Sequence, residues 1–450
     1  MKAKLRFNRA NIILSAIFIV AYCLALMLDG FGHSILAGGL LIVTAFSLYL
    51  AFAYVSRCPV DMRALLSLGW VFGLGLAIMR LSSYHFPWTF DSKICFGGFY
   101  VFYMLGGCFS REGDRERKPR SVNTDRMFYA ILIMSALSLM TFIIEAIILG
   151  YIPIFSEDTH AYNYFHVTGL HYFTVSSIFT HCFTVTYALE MKKRGLTTQK
   201  NRKLLIAFAN AVSVVINIMC LGKLNIMLSV ASPVLIVLGQ IKIADFKKLP
   251  WKKIIICVCA VAVLLVGVFV AFTKLRHYEP GYLDEIFSFR DASTPTYVQY
   301  PYMYIANNYA NFNYLTMCIE QHSHGLKELF PVIALTGMKF VFPQLTAFPQ
   351  YFMKIEMNTL TIIYDAYYDF AVPGVLVFGF IFGLVSRLIT DRSRRRDAMS
   401  MLIFSQIAIY ASLSFFSAWF TVPTTWFWIA LTVMYGLFIR ERLGKSHEEE

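Results

Sequence analysis

Apolar runs of about 18 to 22 residues recur along the chain, the length a helix needs to cross the hydrocarbon core of a bilayer. The first reads NIILSAIFIVAYCLALML. A segment that is hydrophobic all round cannot present a polar face to water, so it belongs in lipid or deep inside a protein. The 450 residues are 58% hydrophobic and only 15% charged, too little polar surface to clothe a soluble domain of this size. The runs predict helices near 11–28, 35–55, 64–79, 94–108, 127–149, 172–189, 204–221, 224–241, 254–273, 372–389, 398–418 and 422–439. The expected fold is an all-α polytopic membrane protein with about twelve transmembrane helices and one large extracytoplasmic loop.

The charge pattern orients this array. The chain has 40 Lys+Arg against 27 Asp+Glu, a formal charge of +13. Most of the basic residues fall in alternate connections: the N-terminus, Arg57 with Arg63, REGDRERKPRSVNTDR, KKRGLTTQKNRK, KIADFKKLPWKK, RLITDRSRRR and RERLGK. Such clusters mark cytoplasmic loops, which places both termini in the cytoplasm and reads the positive charge as topology rather than as a nucleic-acid surface. The first run follows MKAKLRFNR as a signal peptide would, but no small-residue cleavage site follows it, so it reads as an uncleaved first helix. The nine cysteines fall mostly in apolar runs and imply no disulfide framework. The organisation is then helices 1 to 9 with short loops over 1–273, a large extracytoplasmic loop over 274–371, and helices 10 to 12 with a cytoplasmic tail over 372–450. A loop that long is functional or disordered, and its Tyr, Phe and Ile content argues against disorder. Within it, LFPVIALTGMKFVFPQL is too short to cross a bilayer and reads as interfacial or re-entrant.

Candidate chemistry is sought where basic residues are scarce. Arg80, Lys93, Lys223, Lys274, Arg276, Arg290, Lys327, Lys339 and Lys354 lie outside the basic clusters. Arg276 and Arg290 flank HYEPGYLDEIFSF, and an arginine offers a planar fork of donors suited to phosphate oxygens; the alternative is a surface pair with Glu279 or Asp284. Lys223, in the turn CLGKLNIML, is either an embedded functional cation or an ordinary helix-end lysine. The stretch YIPIFSEDTHAYNYFHVTGLHY carries Glu157, Asp158 and His160, groups able to accept a proton, although each read alone is a solvated loop residue. His160, His166 and His171 do not follow a zinc-ligand spacing, so no metal is assigned. Glu145 sits inside the fifth helix, where a proton-coupled transporter could use it. Gly379 and Gly383 form a GxxxG, read as helix packing. There is no P-loop and no G-x-S-x-G.

Several of these pieces together resemble the Wzy-type O-antigen and oligosaccharide repeat-unit polymerases. They are GYIPIF opening one outer loop, the LGK turn, YPYMYIANNYANFNYL in the long loop, and MNTLTIIYDAYYDFAVPGVLVFGFIFGL after it, over residues from about 127 to 390. The resemblance implies a GT-C-like architecture in the bacterial inner (plasma) membrane. It implies an extracytoplasmic active face and undecaprenyl-pyrophosphate-linked oligosaccharides as substrates. Membrane lipid, a chain-length regulator and a flippase are the implied partners; no cofactor and no nucleic acid enter. Gly222 and Lys223 match the family's Gly-Arg turn with lysine for arginine. Pro153 and Gly169 match the frame of the first outer loop, where His160 and Asn163 stand and the family's arginine is missing. Arg276 stands where a family arginine opens the long loop. Asn358, Thr361 and Asp369 fit an Asn-x-x-Thr and Asp-Phe-Gly pattern in which Ala371 replaces the glycine.

On this reading Arg276, Arg290 and Lys223 hold the donor pyrophosphate, Asn358 and Thr361 contact substrate, and His160, Asp158 or Asp369 takes the acceptor hydroxyl proton. The expected function is polymerisation of lipid-linked repeat units. The alternatives are a lipid-linked oligosaccharide flippase or other transporter, and an O-antigen ligase.

Overall fold

The computed structural model describes residues 5–7, 9–111, 121–158, 160–240, 267, 281–393 and 397–441. Among the described residues the regular structure is helical apart from one pair of three-residue strands, Leu5–Phe7 antiparallel to Phe109–Arg111. Six described helices are long and apolar enough to cross a membrane: Arg9–Gly30, Ser34–Ser56, Met62–Met79, Thr124–Leu149, Lys200–Met219 and Tyr364–Asp391. Phe90–Gly106, Ile178–Lys193, Lys223–Leu238, Ala398–Ser412 and Pro423–Phe438 also form helices where apolar runs predict them, but they are shorter. The segment expected near 254–273 lies outside the described residues, apart from Gly267. The chain divides into two compact units.

The first unit comprises Met1–Glu116, Pro280–Arg394 and Ile407–Trp426. Its tightest helix pair joins Phe90–Gly106 to Tyr364–Ser393, and glycines make that approach possible. A Cβ on Gly383 would stand 2.0 Å from the Tyr103 carbonyl oxygen, and one on Gly106 would stand 2.0 Å from that of Phe380. The GxxxG at Gly379 and Gly383 is thus a backbone-to-backbone seam. Aromatic rings fill the space beside it, with Trp70 and Phe99 centroids 4.7 Å apart at 65° and Trp70 and Tyr309 at 5.1 Å.

Tyr309 belongs to a helix, Thr296–Cys318, inside the interval expected to be an outer loop. This 23-residue helix packs against Met62–Met79, and the Tyr309 hydroxyl donates to the Trp70 carbonyl at 2.9 Å. Its four asparagines are all buried, and each Nδ2 donates to a backbone carbonyl. Asn307 and Asn311, one helical turn apart, both donate to the Met357 carbonyl, at 3.1 and 2.7 Å. Asn311 Nδ2 also donates to Thr359 O, and its Oδ1 accepts from Met353 N. Asn313 holds the connection before Phe90, accepting from Thr89 N and donating to Pro87 O. LFPVIALTGMKFVFPQL folds as two short helices, Leu326–Leu335 and Met338–Val341, broken at Gly337, whose φ is +77°.

The second unit comprises Arg117–Glu279, Arg395–Gln406 and Phe427–Glu450. Thr124–Leu149 ends at Gly150 in the left-handed conformation, the usual way a glycine stops a helix. Small hydroxyls stitch its neighbours: Ser135 donates to Ala209 O at 3.1 Å and Ser213 to Ser177 O at 2.6 Å. The helix expected over 172–189 is interrupted at Ser176 and Ser177, leaving His171–Val175 and Ile178–Lys193. Phe183 stacks on Tyr435 at 3.9 Å.

Candidate functional site

In the first unit, carboxylates converge where Leu326–Leu335 begins against the start of Tyr364–Ser393. The chain reaches the first of these helices through Gly325, at φ +98°. No local side chain caps it; Asp369 does so from across the fold. One Asp369 oxygen accepts from Lys327 N at 3.1 Å and from the Ser323 hydroxyl, and the other accepts from Glu328 N at 2.8 Å. A carboxylate set on the positive end of a helix is stabilised there. Asp369 is fully buried and its oxygens are engaged in this cap.

Asp365, one turn earlier, is also buried. Its Oδ2 accepts from the Thr421 hydroxyl at 2.5 Å, and its Oδ1 lies 3.7 Å from the Lys327 ammonium. The ammonium sits 4.7 Å from the Tyr368 ring centroid and 5.7 Å from that of Phe348. Tyr351 and Phe348 each place a ring 6.0 Å from Tyr368. The Tyr364 hydroxyl ties this strip to the helix, donating to Tyr351 O at 3.0 Å and accepting from Tyr351 N at 3.1 Å. The third carboxyl is Glu328. Burial, and then the charges of Asp365 and Asp369, push its pKa up to about 7. Three carboxyls thus meet at this helix start, and the Lys327 ammonium, with its aromatic faces, lies against one of them, Asp365.

Arg290 stands elsewhere in the same unit. Its Nε donates to Arg80 O at 3.0 Å and its backbone N–H to Leu81 O at 2.9 Å. It lines a cleft of about 640 Å³ with Ser34, Arg80, His85, Asp291 and Thr294 among others. Arg80 forms an ion pair with Asp29. Asn358 is exposed at the end of the short turn Ile355–Met357. Thr361 is fully buried, and its hydroxyl has no partner among the described residues.

The remaining sequence candidates belong to the second unit. Asp158 is exposed, and its Oδ1 accepts the His160 backbone N–H at 2.8 Å in a local turn. Lys223 is the first residue of Lys223–Leu238 and is 4% exposed. Glu145 is fully buried; it accepts from Val167 N at 2.9 Å and Thr174 Oγ1 at 2.7 Å, and His171 Nδ1 lies 3.2 Å from both oxygens. Arg276 lies outside the described residues. Among the described residues no group of three or more His, Cys, Asp or Glu is placed to hold a metal ion.

The structure therefore sets Asp369 beside Glu328 and Lys327, two residues that sequence reasoning did not assign as a site. The available signal was the pair of charges opening an otherwise apolar segment, KELFPVIAL, and the i, i+4 spacing of Asp365 and Asp369.

Set against known protein families, curated proteins and solved structures, the chain matches none.

Proposed function

We propose that the chain is a membrane glycosyltransferase of the repeat-unit polymerase type. It moves a growing glycan from undecaprenyl pyrophosphate to a new lipid-linked repeat on the extracytoplasmic side of a bacterial plasma membrane, with about twelve spans and both termini cytoplasmic. The observation that carries the reading is the meeting of Glu328, Asp365 and Asp369 at the start of Leu326–Leu335, in a unit where the Lys327 ammonium beside Asp365 lies against the Tyr368 and Phe348 rings; burial and the two neighbouring carboxylates push the Glu328 carboxyl up to about 7. Glycosyl transfer needs a group that takes the proton of an acceptor hydroxyl, and such a group works best with a pKa near the working pH. Aromatic faces suit the apolar faces of sugar rings. Glu328 replaces Asp158, His160 and Asp369 as the proposed base, because Asp369 is committed to capping a helix and Asp158 is a solvated turn residue. Arg290, in the cleft of the same unit, binds the donor pyrophosphate and stabilises the leaving group as charge develops. Arg276 keeps the same proposed role from sequence alone.

A second reading, a proton-coupled flippase, draws on Glu145, a buried carboxylate within an apolar helix and bonded to His171. Deleting the gene in its host and sizing the saccharide on the lipid carrier and at the cell surface separates these readings. Single repeats at the outer face without a ladder support a polymerase. Single repeats held at the cytoplasmic face identify a flippase, and long polymer stranded on the carrier identifies a ligase.

A further inference from the structure

The segment LFPVIALTGMKFVFPQL, which the proposed reaction leaves mostly unused, turns apolar side chains both inward and outward. In Leu326–Leu335 the two charged residues, Lys327 and Glu328, lie in the first turn, beside Asp365 and Asp369. Beyond them Pro331, Ile333 and Ala334 are buried where the helix packs on Tyr364–Ser393 and Trp419–Thr421, while Leu329, Val332 and Leu335 are exposed. Met338–Val341 packs beside this helix and extends the outward face through Phe340, Val341 and the following Phe342, the first two at 66% and 69% exposure. A helix apolar all round is at home only where neither face meets water. In water a monomer rarely leaves so large an apolar patch uncovered.

Charge and hydrogen bonding fit this face to lipid. From Leu329 to Met353 the chain carries one charged residue, Lys339, and no acid. The Lys339 ammonium lies 5.0 Å from the centroid of the Phe340 ring, a cation set among outward apolar groups, which is the complement of an anionic lipid headgroup over its acyl chains. The polar groups of the bend bond to one another. The Thr336 hydroxyl donates to Val332 O at 2.6 Å, the Gly337 N–H to Ala334 O at 3.3 Å and the Phe342 N–H to Met338 O at 2.8 Å. Pro331 and Pro343 have no N–H to leave unpaired. A backbone that meets its own hydrogen-bond needs tolerates an apolar surrounding, whereas a protein partner would find few groups here for the hydrogen bonds such interfaces carry. Six helices of the same chain are long and apolar enough to cross a membrane, so a bilayer is at hand.

We propose that Leu326–Leu335 and Met338–Val341 lie along the surface of the bilayer, with their outward face among the acyl chains and Lys339 at the lipid phosphates. Neither helix is long enough to cross, so the pair lies in the plane of the interface. Glu328 immediately precedes Leu329, which sets the carboxyl cluster within one turn, about 5 Å along the helix, of the lipid-facing residues. The group that reaches Glu328 is then carried on a lipid and arrives from the membrane rather than from solution. That consequence rests on the glycosyltransferase reading; the docking itself rests on the surface.

The test uses the full chain in nanodiscs of equal parts phosphatidylcholine and phosphatidylglycerol, with Phe340 replaced by the photoreactive p-benzoylphenylalanine, an aromatic for an aromatic at an exposed position. On illumination the chief product is expected to be the chain joined to one phospholipid. Phosphatidylglycerol should be favoured about fivefold, and that preference should be lost in Lys339→Gln. A cross-link to another part of this chain or to a second copy, or a product without lipid, overturns the proposal. A phosphatidylglycerol preference that Lys339→Gln leaves unchanged overturns the role given to Lys339. In the unmodified chain in the same nanodiscs, Met338, 40% exposed, is expected to resist hydroxyl radicals generated in the water. Its ready oxidation overturns the proposal with no variant needed. A protein docked in this way that forms no polymer from lipid-linked repeats removes the glycosyltransferase reading alone. Polymer formed as readily from repeats lacking the lipid overturns the delivery of substrate from the membrane.

Discussion

Asn311 holds Met357: its Nδ2 donates to the Met357 carbonyl at 2.7 Å, and the same side chain reaches Thr359 O and Met353 N. One buried amide thereby fixes the segment that leads from the aromatic strip at Phe348 and Tyr351 to the helix carrying Asp365 and Asp369. Asn311→Ala removes the donor to Thr359 O and the acceptor for Met353 N, leaves Met357 O to Asn307 alone, and should cost about 2 kcal/mol. Unfolding of the full chain in detergent measures this, and a change below about 0.5 kcal/mol would exclude the clamp.

Glu328 has a folded pKa near 7, raised from the ordinary 4.5. Between those values the folded protein binds more protons than the unfolded chain, so this residue's stabilising contribution is complete below about pH 4.5 and is lost as the pH rises through 7. Glu328→Gln should flatten that part of the stability profile. Activity should run the other way, rising with ionisation of a base along a limb centred near pH 7. The same variant should lose on the order of 100-fold or more in turnover. A Glu328→Gln enzyme that retains the acidic limb would assign the limb to another group.

Asp369 is expected to act through structure. Asp369→Ala removes the cap of Leu326–Leu335 and should destabilise by about 1 to 2 kcal/mol, whereas Asp369→Asn keeps an acceptor and should lose less. Were Asp369 the base, Asp369→Asn would abolish polymer formation in a protein of undiminished stability. Measuring product ladders and unfolding on the same preparation decides between the two.

Ala371 sits at φ 52°, ψ −147°, just after Phe370 breaks the helical run of Tyr364–Ser393. That region of backbone space suits glycine, and a Cβ there costs about 1 to 3 kcal/mol. Ala371→Gly relieves the clash and adds about 0.5 to 1 kcal/mol of unfolded-chain entropy, for a net gain of about 1 kcal/mol. A higher unfolding midpoint is the expected result, and a lower one would show that the alanine methyl contributes packing that outweighs the strain.

The aspartate, phenylalanine and glycine pattern that made Asp369 a candidate acquires a physical meaning from these two positions. The aspartate caps a helix across the fold, and the third position turns the chain through a conformation made for glycine. Both demands are geometrical, and neither requires that Asp369 touch a substrate. The first outer loop behaves similarly: the Asp158 carboxylate accepts the His160 backbone N–H in a local turn, while His171, grouped in the sequence with the other two histidines, is the one that meets Glu145.

By itself the sequence determined the helical character of the chain and the positions of most apolar helices, because a run of side chains that cannot face water leaves the backbone one way to satisfy its own polar groups. It also located the GxxxG seam, since a residue without a side chain advertises close packing wherever it recurs every fourth position. Only the tertiary structure decided that Thr296–Cys318 is a buried helix. Its asparagines and tyrosines lower its hydropathy and find their hydrogen-bond partners in distant backbone, at Met357, Thr359 and Trp70. The same holds for the site. Glu328 and Asp369 are 41 residues apart in the chain. A carboxyl becomes a poised acid only when the fold buries it and sets other carboxylates beside it, and no local pattern encodes that meeting.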